Sequence, residues 1–178
     1  MKLIILDIDG VMTDGKKFYT TKGDILCKQY NDKDFTAIKR FMALGIKVCF
    51  LSGDSWNKTM ANSRNIKFYS GRVKDGNMSK LEVLNKILND YGLKENETIY
   101  VGDDIFDIEV LKTVKEGFCP KDSPIDVKNV CTIINKNGGD GVVAELFDIL
   151  LERSEIESPD IKIVKDLDSK ELSSKKMT

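Results

Sequence analysis

The chain has 178 residues, of which 41% are hydrophobic, and this length favours a single domain with one core. Its 28 lysines and arginines nearly balance 29 aspartates and glutamates, which excludes a strong overall attraction to nucleic acid or to an anionic membrane. The sequence contains no histidine, which excludes Ser-His-Asp and Cys-His nucleophile pairs because both need an imidazole base.

The first predicted element is a short apolar run over residues 3–6, typical of a strand buried on both faces of a parallel sheet. Asp7 and Asp9 follow this run directly, with Gly10 behind them. Ligands bind at the carboxyl ends of the strands in such sheets, so we expect both acids to lie in a binding crevice. The run meets an acid too soon for a signal peptide, and no run of about 18 apolar residues is present for a membrane span.

A β-hairpin is predicted next. Residues 17–21 and residues 25–30 read as strands on either side of a turn at Gly23, as expected for a hairpin with a short loop. We expect it to project from the carboxyl edge of the sheet, beside the acids.

A helix is predicted over residues 35–44, where apolar side chains recur on one face and Gly45 follows as a stop. A second buried strand is predicted over residues 46–51. Ser52 and Gly53 follow this strand, so they are expected at the same edge of the sheet as the first acid cluster.

The best-defined helix of the sequence begins at a capping box formed by Ser79 and Glu82 and ends before Gly92. Lys80 lies in its first turn, where free backbone N–H groups favour an anion. A lysine at this position is therefore a candidate ligand for phosphate.

Another apolar run, residues 98–101, precedes a second acid cluster that contains Asp103, Asp104 and Asp107. Asp104 and Asp107 either join the site or cap the start of the following helix. Helical spacing predicts buried stripes on the next helix at Ile105, Ile108 and Leu111, and on the last helix at Val142, Val143, Leu146, Ile149 and Leu150.

The alternation of strand-like and helix-like runs predicts an α/β fold, a Rossmann-like three-layer sandwich with a mainly parallel sheet. The composition becomes charged and serine-rich towards the end, which predicts a domain over residues 1–152 and a mobile tail over residues 153–178. The four cysteines form no Cys-x-x-Cys pair, which is typical of reduced thiols in a cytoplasmic protein.

The acids, a serine and a lysine are predicted to form one site for phosphoryl transfer. Asp7 is the candidate nucleophile, because an ionised carboxylate needs no base to activate it. Asp9 is the candidate general acid and base, and Ser52 and Lys80 are the candidate donors to the phosphoryl oxygens. Asp7, Asp103 and the backbone carbonyl of Asp9 are the hard oxygen ligands expected for Mg²⁺.

Four parts of the chain resemble the sequence motifs of the haloacid dehalogenase (HAD) phosphatase superfamily. They are residues 7–15, residues 51–53, Lys80 and residues 102–107. Too few positions separate Asp7 from Ser52 for a cap domain, so the chain is similar to the capless subgroup that includes 3-deoxy-D-manno-octulosonate 8-phosphate phosphatase. Residues 137–143 also resemble the Gly-Gly-x-Gly segment of that subgroup.

The resemblance implies a Mg²⁺-dependent phosphatase that acts on a small phosphorylated metabolite, such as a 2-keto-3-deoxy sugar phosphate, through an aspartyl-phosphate. It implies substrate contacts from Asp9, Ser52, Gly53 and Lys80. It also implies a homotetramer in which the hairpin helps to close the active site of a neighbouring subunit.

Three features leave alternatives open. Asp54 and Asp140 stand where the subgroup usually has arginine, and Lys74 is an alternative to Lys80 as the motif lysine. A catalytically weak oligomerisation or regulatory module is therefore a second hypothesis. A phospho-accepting receiver domain is a third, although receivers usually carry the acceptor aspartate on a later strand than the first.

Overall fold

The computed structural model of the protein describes residues 1–71 and 79–175. In this part of the chain six strands form a parallel sheet: β1 (Leu3–Leu6), β4 (Lys47–Ser52), β5 (Lys67–Ser70), β6 (Thr98–Val101), β7 (Glu116–Pro120) and β8 (Thr132–Ile134). Their order across the sheet is β5-β4-β1-β6-β7-β8. The predicted α/β class with a mainly parallel sheet is confirmed.

Helices cover both faces of the sheet and form the outer layers. They are α1 (Asp32–Ala43), α2 (Asn57–Ser63), α3 (Lys80–Tyr91), α4 (Ile108–Thr113), α5 (Ile125–Lys128), α6 (Val142–Glu152) and α7 (Ile161–Lys175). Short 3₁₀ turns at Glu95–Glu97 and Ile105–Asp107 precede β6 and α4.

Strand β1 lies at the centre of the sheet, between β4 and β6. All four of its side chains are fully buried, because successive residues of a strand point to opposite faces and helices cover both. Ile4 and Leu6 pack in the core that contains α1 and α6, whereas Leu3 and Ile5 pack in the core that contains α3 and α4. This two-sided burial explains why the strand reads as a continuous apolar run.

The hairpin lies between β1 and α1, as predicted, but its strands are shorter than the sequence suggested. They are β2 (Phe18–Tyr19) and β3 (Ile25–Cys27), and they pair antiparallel. Gly23 has a φ of 86° in the turn, a conformation that glycine adopts without strain. The segment between β1 and β4 holds only this hairpin and α1, in agreement with the prediction that no cap domain is inserted there.

Helix boundaries follow their capping residues. Asn31 accepts a hydrogen bond from the backbone N–H of Lys33, so α1 begins a few residues earlier than predicted. The predicted capping box at Ser79 and Glu82 is present, and Gly92 ends α3 in the left-handed conformation.

The predicted buried stripe on α4 is wrong at Ile105, which is 51% exposed. Ile105 belongs to the 3₁₀ turn before the helix. A 3₁₀ turn has fewer residues per turn than an α-helix, so the side chain of Ile105 points away from the buried face. Ile108 and Leu111 do pack into the core.

The sequence predicts a mobile tail from residue 153, and the structure differs from this expectation because residues 161–175 form α7. Glu171 is only 6% exposed and lies 3.0 Å from both Lys39 on α1 and Arg64 after α2. Ion pairs with residues distant in sequence hold the helix, and composition does not reveal them. The mobility of residues 153–178 in solution stays a prediction.

All four cysteines are free. Across residues 1–71 and 79–175, every helix is too short or too polar to cross a membrane.

Candidate active site

The candidate site lies at the carboxyl ends of three neighbouring strands, β4, β1 and β6. Because these strands are parallel and adjacent, Ser52, Asp7 and Asp103 reach the same edge of the sheet. The backbone N–H of Asp7 donates to Val101 O at 2.9 Å. This bond joins the two acid clusters predicted from the sequence.

Gly10 allows the two clusters to touch. A Cβ atom at Gly10 would lie 2.0 Å from Asp103 Oδ2, and the φ of Gly10 is 89°. Both the contact and the backbone conformation therefore require glycine. The loop after β1 wraps directly against the carboxylate of Asp103.

Lys80 joins the two acid clusters from the start of α3. Its Nζ atom lies 2.6 Å from Asp7 Oδ2 and 2.5 Å from Asp107 Oδ1, and its side chain is 12% exposed. Lys80, the preferred candidate for the motif lysine, thus contacts both acid clusters, whereas the alternative Lys74 lies outside the described residues.

Asp107, whose role the sequence left open, is fully buried beneath the site. Its Oδ1 accepts hydrogen bonds from Lys80 and from the hydroxyl of Tyr100. Its Oδ2 accepts from the backbone N–H groups of Asp103 and Asp104, at 3.2 and 3.1 Å. Asp107 therefore holds the second acid cluster in shape, and it does so through four donors.

Asp104 has the capping role that the sequence offered as an alternative. Its Oδ1 accepts from the backbone N–H of Ile105 at 2.5 Å. Gly102 is also required here, because a Cβ atom at this position would lie 2.6 Å from Asp107 Cγ.

Three acidic side chains lie close together at this edge of the sheet, an arrangement that favours binding of a cation. One oxygen each from Asp7, Asp103 and Asp107 lie within 4.8 Å of one another. In the described part of the chain, Asp103 Oδ1 is buried without a hydrogen-bond partner. An unpaired buried carboxylate oxygen among other acids suits a divalent cation with oxygen ligands.

The raised pKa values of Asp7 and Asp103 also indicate that a cation is needed at this edge of the sheet. Burial raises the pKa of Asp7 to about 7; the charge of Lys80 opposes this shift, and that of Asp107 adds to it. Burial, followed by the charges of Asp7 and Asp107, raises the pKa of Asp103 to about 8. A bound cation would favour the ionised form of both carboxyls.

Asn57 and Lys28 form a second set of contacts, which links Asp9 to Ser52. The amide nitrogen of Asn57 donates to Asp9 Oδ2 and to Ser52 Oγ, both at 3.0 Å. Lys28 Nζ lies 2.6 Å from Asp9 Oδ1, and its side chain is fully buried. The structure thus brings the predicted general acid and the predicted serine onto one amide.

Sequence reasoning missed Asn57, Lys28 and Tyr100. A single asparagine, lysine or tyrosine carries no spacing pattern, so no motif marks it. The one available signal was the hairpin, which was predicted to lie beside the acids and which carries Lys28 at its end.

Asp54, which replaces an expected arginine, binds the hairpin. Its Oδ2 lies 2.8 Å from Lys17 Nζ and 2.9 Å from Lys28 Nζ. Although burial opposes ionisation, hydrogen bonds from both lysines and from the backbone of Trp56 hold the pKa of Asp54 well below its usual range. Gly53 lies beside it, with Gly71 packed against its backbone.

The glycine-rich segment near the end of the domain supports the loop after β1. A Cβ atom at Gly138 would lie 2.1 Å from Gly10 O, and one at Gly139 would lie 2.8 Å from Asp14 N. These glycines allow two backbone segments to pack in direct contact. Asp140 follows these two glycines, at a position where the resemblance had led us to expect an arginine.

Similarity to known proteins agrees with this arrangement. Residues 54–147 match the family described as haloacid dehalogenase-like hydrolase. The 3-deoxy-D-manno-octulosonate 8-phosphate phosphatase of Haemophilus influenzae is 31% identical over 156 residues, which cover 85% of this chain and 83% of that protein.

Solved structures give the same result. The cobalt-bound form of the deoxy-D-mannose-octulosonate 8-phosphate phosphatase from Haemophilus influenzae is 28% identical, with a TM-score of 0.78 over 87% of this chain and 90% of that chain. The 3-deoxy-D-manno-octulosonate 8-phosphate phosphatase from Yersinia pestis is 26% identical, with a TM-score of 0.76 over 87% of this chain and 83% of that chain.

Proposed function

The chain belongs to the haloacid dehalogenase-like hydrolase family and is a phosphatase, and we propose that it hydrolyses a small acidic sugar phosphate through an aspartyl-phosphate. We propose 3-deoxy-D-manno-octulosonate 8-phosphate, or a close analogue, as the substrate. The names of its relatives in Haemophilus influenzae and Yersinia pestis support this choice.

The observation that carries the proposal is the contact of Asp7 with Lys80 beside the unpaired oxygen of Asp103. Asp7 supplies a carboxylate nucleophile, and Lys80 supplies a positive charge at the place where a phosphoryl group would arrive. Catalysis of phosphoryl transfer depends mainly on such positioning and on charge stabilisation.

In the first step an oxygen of Asp7 attacks phosphorus, and the bond from phosphorus to the sugar oxygen breaks. Asp9 gives a proton to the departing alkoxide. In the second step Asp9 takes a proton from water, whose oxygen attacks phosphorus and breaks the bond to Asp7. Inorganic phosphate is released, and Asp7 and Asp9 return to their starting protonation states.

Ser52 and Lys80 stabilise the phosphoryl oxygens in both steps, by a hydroxyl hydrogen bond and by charge. Gly53 adds its backbone N–H at the same edge. Hydrogen-bond donors that are already in position need no rearrangement when charge develops on these oxygens.

We propose Mg²⁺ as the cofactor, held by Asp7, Asp103 and the backbone carbonyl of Asp9. The unpaired oxygen of Asp103 and the raised pKa values of Asp7 and Asp103 support a divalent cation at this place, and so does the cobalt-bound form of the Haemophilus influenzae relative. When bound, the ion offsets the negative charge of the phosphate and of the attacking carboxylate. Each oxygen of Asp107 already accepts two hydrogen bonds, which fill its lone-pair sites, so we propose that it supports the ligands without binding the ion.

We also propose a homotetramer in which the hairpin contacts a neighbouring subunit. The hairpin exposes large apolar side chains: Phe18 is 60% exposed, Tyr19 58% and Leu26 65%. Exposed apolar side chains clustered on one element are typical of an interface. Sedimentation velocity of the wild type and of Leu26→Lys tests this, because a tetramer built on the hairpin would dissociate in the variant.

The Asp7→Asn variant tests the function. Phosphate release from 3-deoxy-D-manno-octulosonate 8-phosphate and from p-nitrophenyl phosphate is measured with and without Mg²⁺, and the variant is expected to lose turnover with an unchanged circular dichroism spectrum. Asp166→Asn, at an exposed position on α7, is the matched control. Substantial residual hydrolysis by the Asp7 variant would contradict the mechanism, and a wild type that hydrolyses neither ester would favour the regulatory module.

A further inference from the structure

We propose that Asn57 is a positioning residue that holds the general acid Asp9 and the phosphate donor Ser52 in register, and that Lys28 sets the orientation of its amide. This inference rests on the proposed function. It assigns roles to two buried side chains that do not belong to the four motifs of the family.

Asn57 is the first residue of α2 and is fully buried. Its amide nitrogen has two hydrogens, and both are used: one reaches Asp9 Oδ2 and the other reaches Ser52 Oγ, each at 3.0 Å. A single planar group therefore fixes the distance between a side chain from the loop after β1 and a side chain from the end of β4.

The orientation of this amide depends on Lys28. Asn57 Oδ1 accepts from Lys28 Nζ at 2.8 Å and from the hydroxyl of Tyr30 at 3.2 Å. A lysine ammonium group has donors and no acceptor, so only the oxygen of the amide can face it. A flipped amide would place its hydrogens against Lys28 and its oxygen against the carboxylate of Asp9.

Lys28 affects the site through its hydrogen bonds to neighbouring side chains and has no free donor for the substrate. Its side chain is fully buried, and its three N–H donors point to Asp9 at 2.6 Å, Asp54 at 2.9 Å and Asn57 at 2.8 Å. With all three donors engaged, it has none left for a substrate oxygen. Because Lys28 follows β3, it also connects the hairpin to the general acid.

The arrangement has a direct consequence for Ser52. Its Oγ accepts from Asn57 Nδ2 at 3.0 Å and from the backbone N–H of Asp54 at 3.2 Å. A hydroxyl has two acceptor sites and one hydrogen, so these bonds leave the hydrogen for a phosphoryl oxygen. Asn57 thus directs the Ser52 hydroxyl to donate.

Each oxygen of Asp9 keeps a lone-pair site on which the transferred proton can be carried. Asn57 and Lys28 each bind one of its oxygens, and a carboxylate has about four lone-pair sites. Its side chain is 23% exposed, so a leaving alkoxide can approach it. The two hydrogen bonds fix the direction of the carboxyl group and leave room for the transferred proton.

The test uses two esters that differ in their need for a general acid. The sugar alkoxide of 3-deoxy-D-manno-octulosonate 8-phosphate must be protonated as it leaves, whereas p-nitrophenolate leaves unaided. In Asn57→Asp, which keeps the shape of the side chain but replaces the donor by an acceptor, we expect kcat for the sugar phosphate to fall about 10²-fold or more. We expect a loss of about tenfold for p-nitrophenyl phosphate, with KM for both esters within about threefold of the wild type.

Lys28→Met removes the group that orients the amide without placing a new charge beside Asp9. Like Asn57→Asp, it should lower the ratio of kcat for the sugar phosphate to kcat for p-nitrophenyl phosphate. Asn62→Asp, on an exposed part of α2, is the matched control and should keep both rates. Circular dichroism and thermal melting establish that each variant is folded. The use of two variants protects the test against one of them failing to fold.

The results separate this inference from the function on which it rests. A wild type that hydrolyses neither ester removes the proposed function and the positioning role together. If the wild type is active and the variants keep wild-type rates, the positioning role alone is overturned. The same holds if the variants lose activity towards both esters by the same factor.

Discussion

Lys80 Nζ lies 2.6 Å from Asp7 Oδ2, although 73 positions separate the two residues in the sequence. Their meeting requires that α3 begins where β1 ends, and the capping box at Ser79 determines where α3 begins. A local signal at a helix terminus thus places a cation beside the candidate nucleophile. The same ammonium group also binds Asp107, so both acid clusters depend on it.

Replacing Lys80 by Met is therefore expected to lower kcat by about 10²- to 10³-fold, because one preorganised charge on the phosphoryl oxygens is lost. Phosphate release under saturating substrate measures this effect, with thermal melting as a check on folding. Lys86→Met, at an exposed position of the same helix, should keep the wild-type rate. A folded Lys80 variant with a wild-type kcat would contradict the assigned role.

The raised pKa values of Asp7 and Asp103 predict that Mg²⁺ stabilises the protein more at high pH. Without the ion, the folded state holds protons on these carboxyls up to about pH 7 and 8, whereas the unfolded state releases them near pH 4. Folding stability without Mg²⁺ therefore falls as pH rises through this window. The ion needs ionised ligands, so its binding strengthens in the same direction.

Thermal melting with and without Mg²⁺ at about pH 6 and about pH 8.5 measures this linkage. The increase in Tm on adding Mg²⁺ should be larger at the higher pH, and Asp103→Asn should remove most of the increase. Equal increases at both pH values in the wild type would count against these two carboxyls as ligands.

Gly138→Ala is expected to disturb the site from a distance. The added Cβ would lie 2.1 Å from Gly10 O and 2.9 Å from Thr13 O, so the loop that carries Asp7 and Asp9 must shift. We expect a loss of about 1–3 kcal/mol in the free energy of unfolding, as for other overpacked sites, together with a lower kcat. Chemical denaturation and phosphate release test the two parts, and an unchanged kcat would show that the loop tolerates the shift.

Asp34 links α1 to the start of α6 and should make stability depend on pH. Its Oδ1 accepts from the backbone N–H groups of Val143 and Ala144 at 2.8 and 3.0 Å. Burial raises its pKa to about 6, against the opposing effect of these two bonds. The folded state thus keeps this proton after the unfolded state has lost it, so stability falls as pH rises from about 4 to about 6.

The Asp34→Asn variant keeps an acceptor but cannot ionise. Relative to the wild type, it should gain about 2 to 3 kcal/mol of stability as pH rises through that window. Asp34→Ala should lose about 1 kcal/mol or more throughout, because the cap on α6 is removed. Urea denaturation of all three proteins at several pH values measures the differences, and parallel curves for wild type and Asn variant would disprove the raised pKa.

Much of the fold could be predicted because its central elements are buried on both faces. The runs at residues 3–6 and 98–101 are apolar throughout, and the structure places them side by side as β1 and β6. Helix α3 was predictable from its capping box and from Gly92. The sequence was misleading at Ile105, where a 3₁₀ turn interrupts the helical spacing, and over α7, whose ion pairs have distant partners.

Some contacts of the candidate site could likewise be predicted from the sequence, and others could not. By itself, the sequence determined that Asp7, Ser52 and Asp103 would meet, because each follows a buried strand and parallel strands end at one edge. Only the tertiary structure decided that Asn57 and Lys28 would join Asp9 and Ser52. The physical reason is that polar contacts between single residues leave no periodic pattern in a chain, and they form only when the hairpin and α2 pack against the loop after β1.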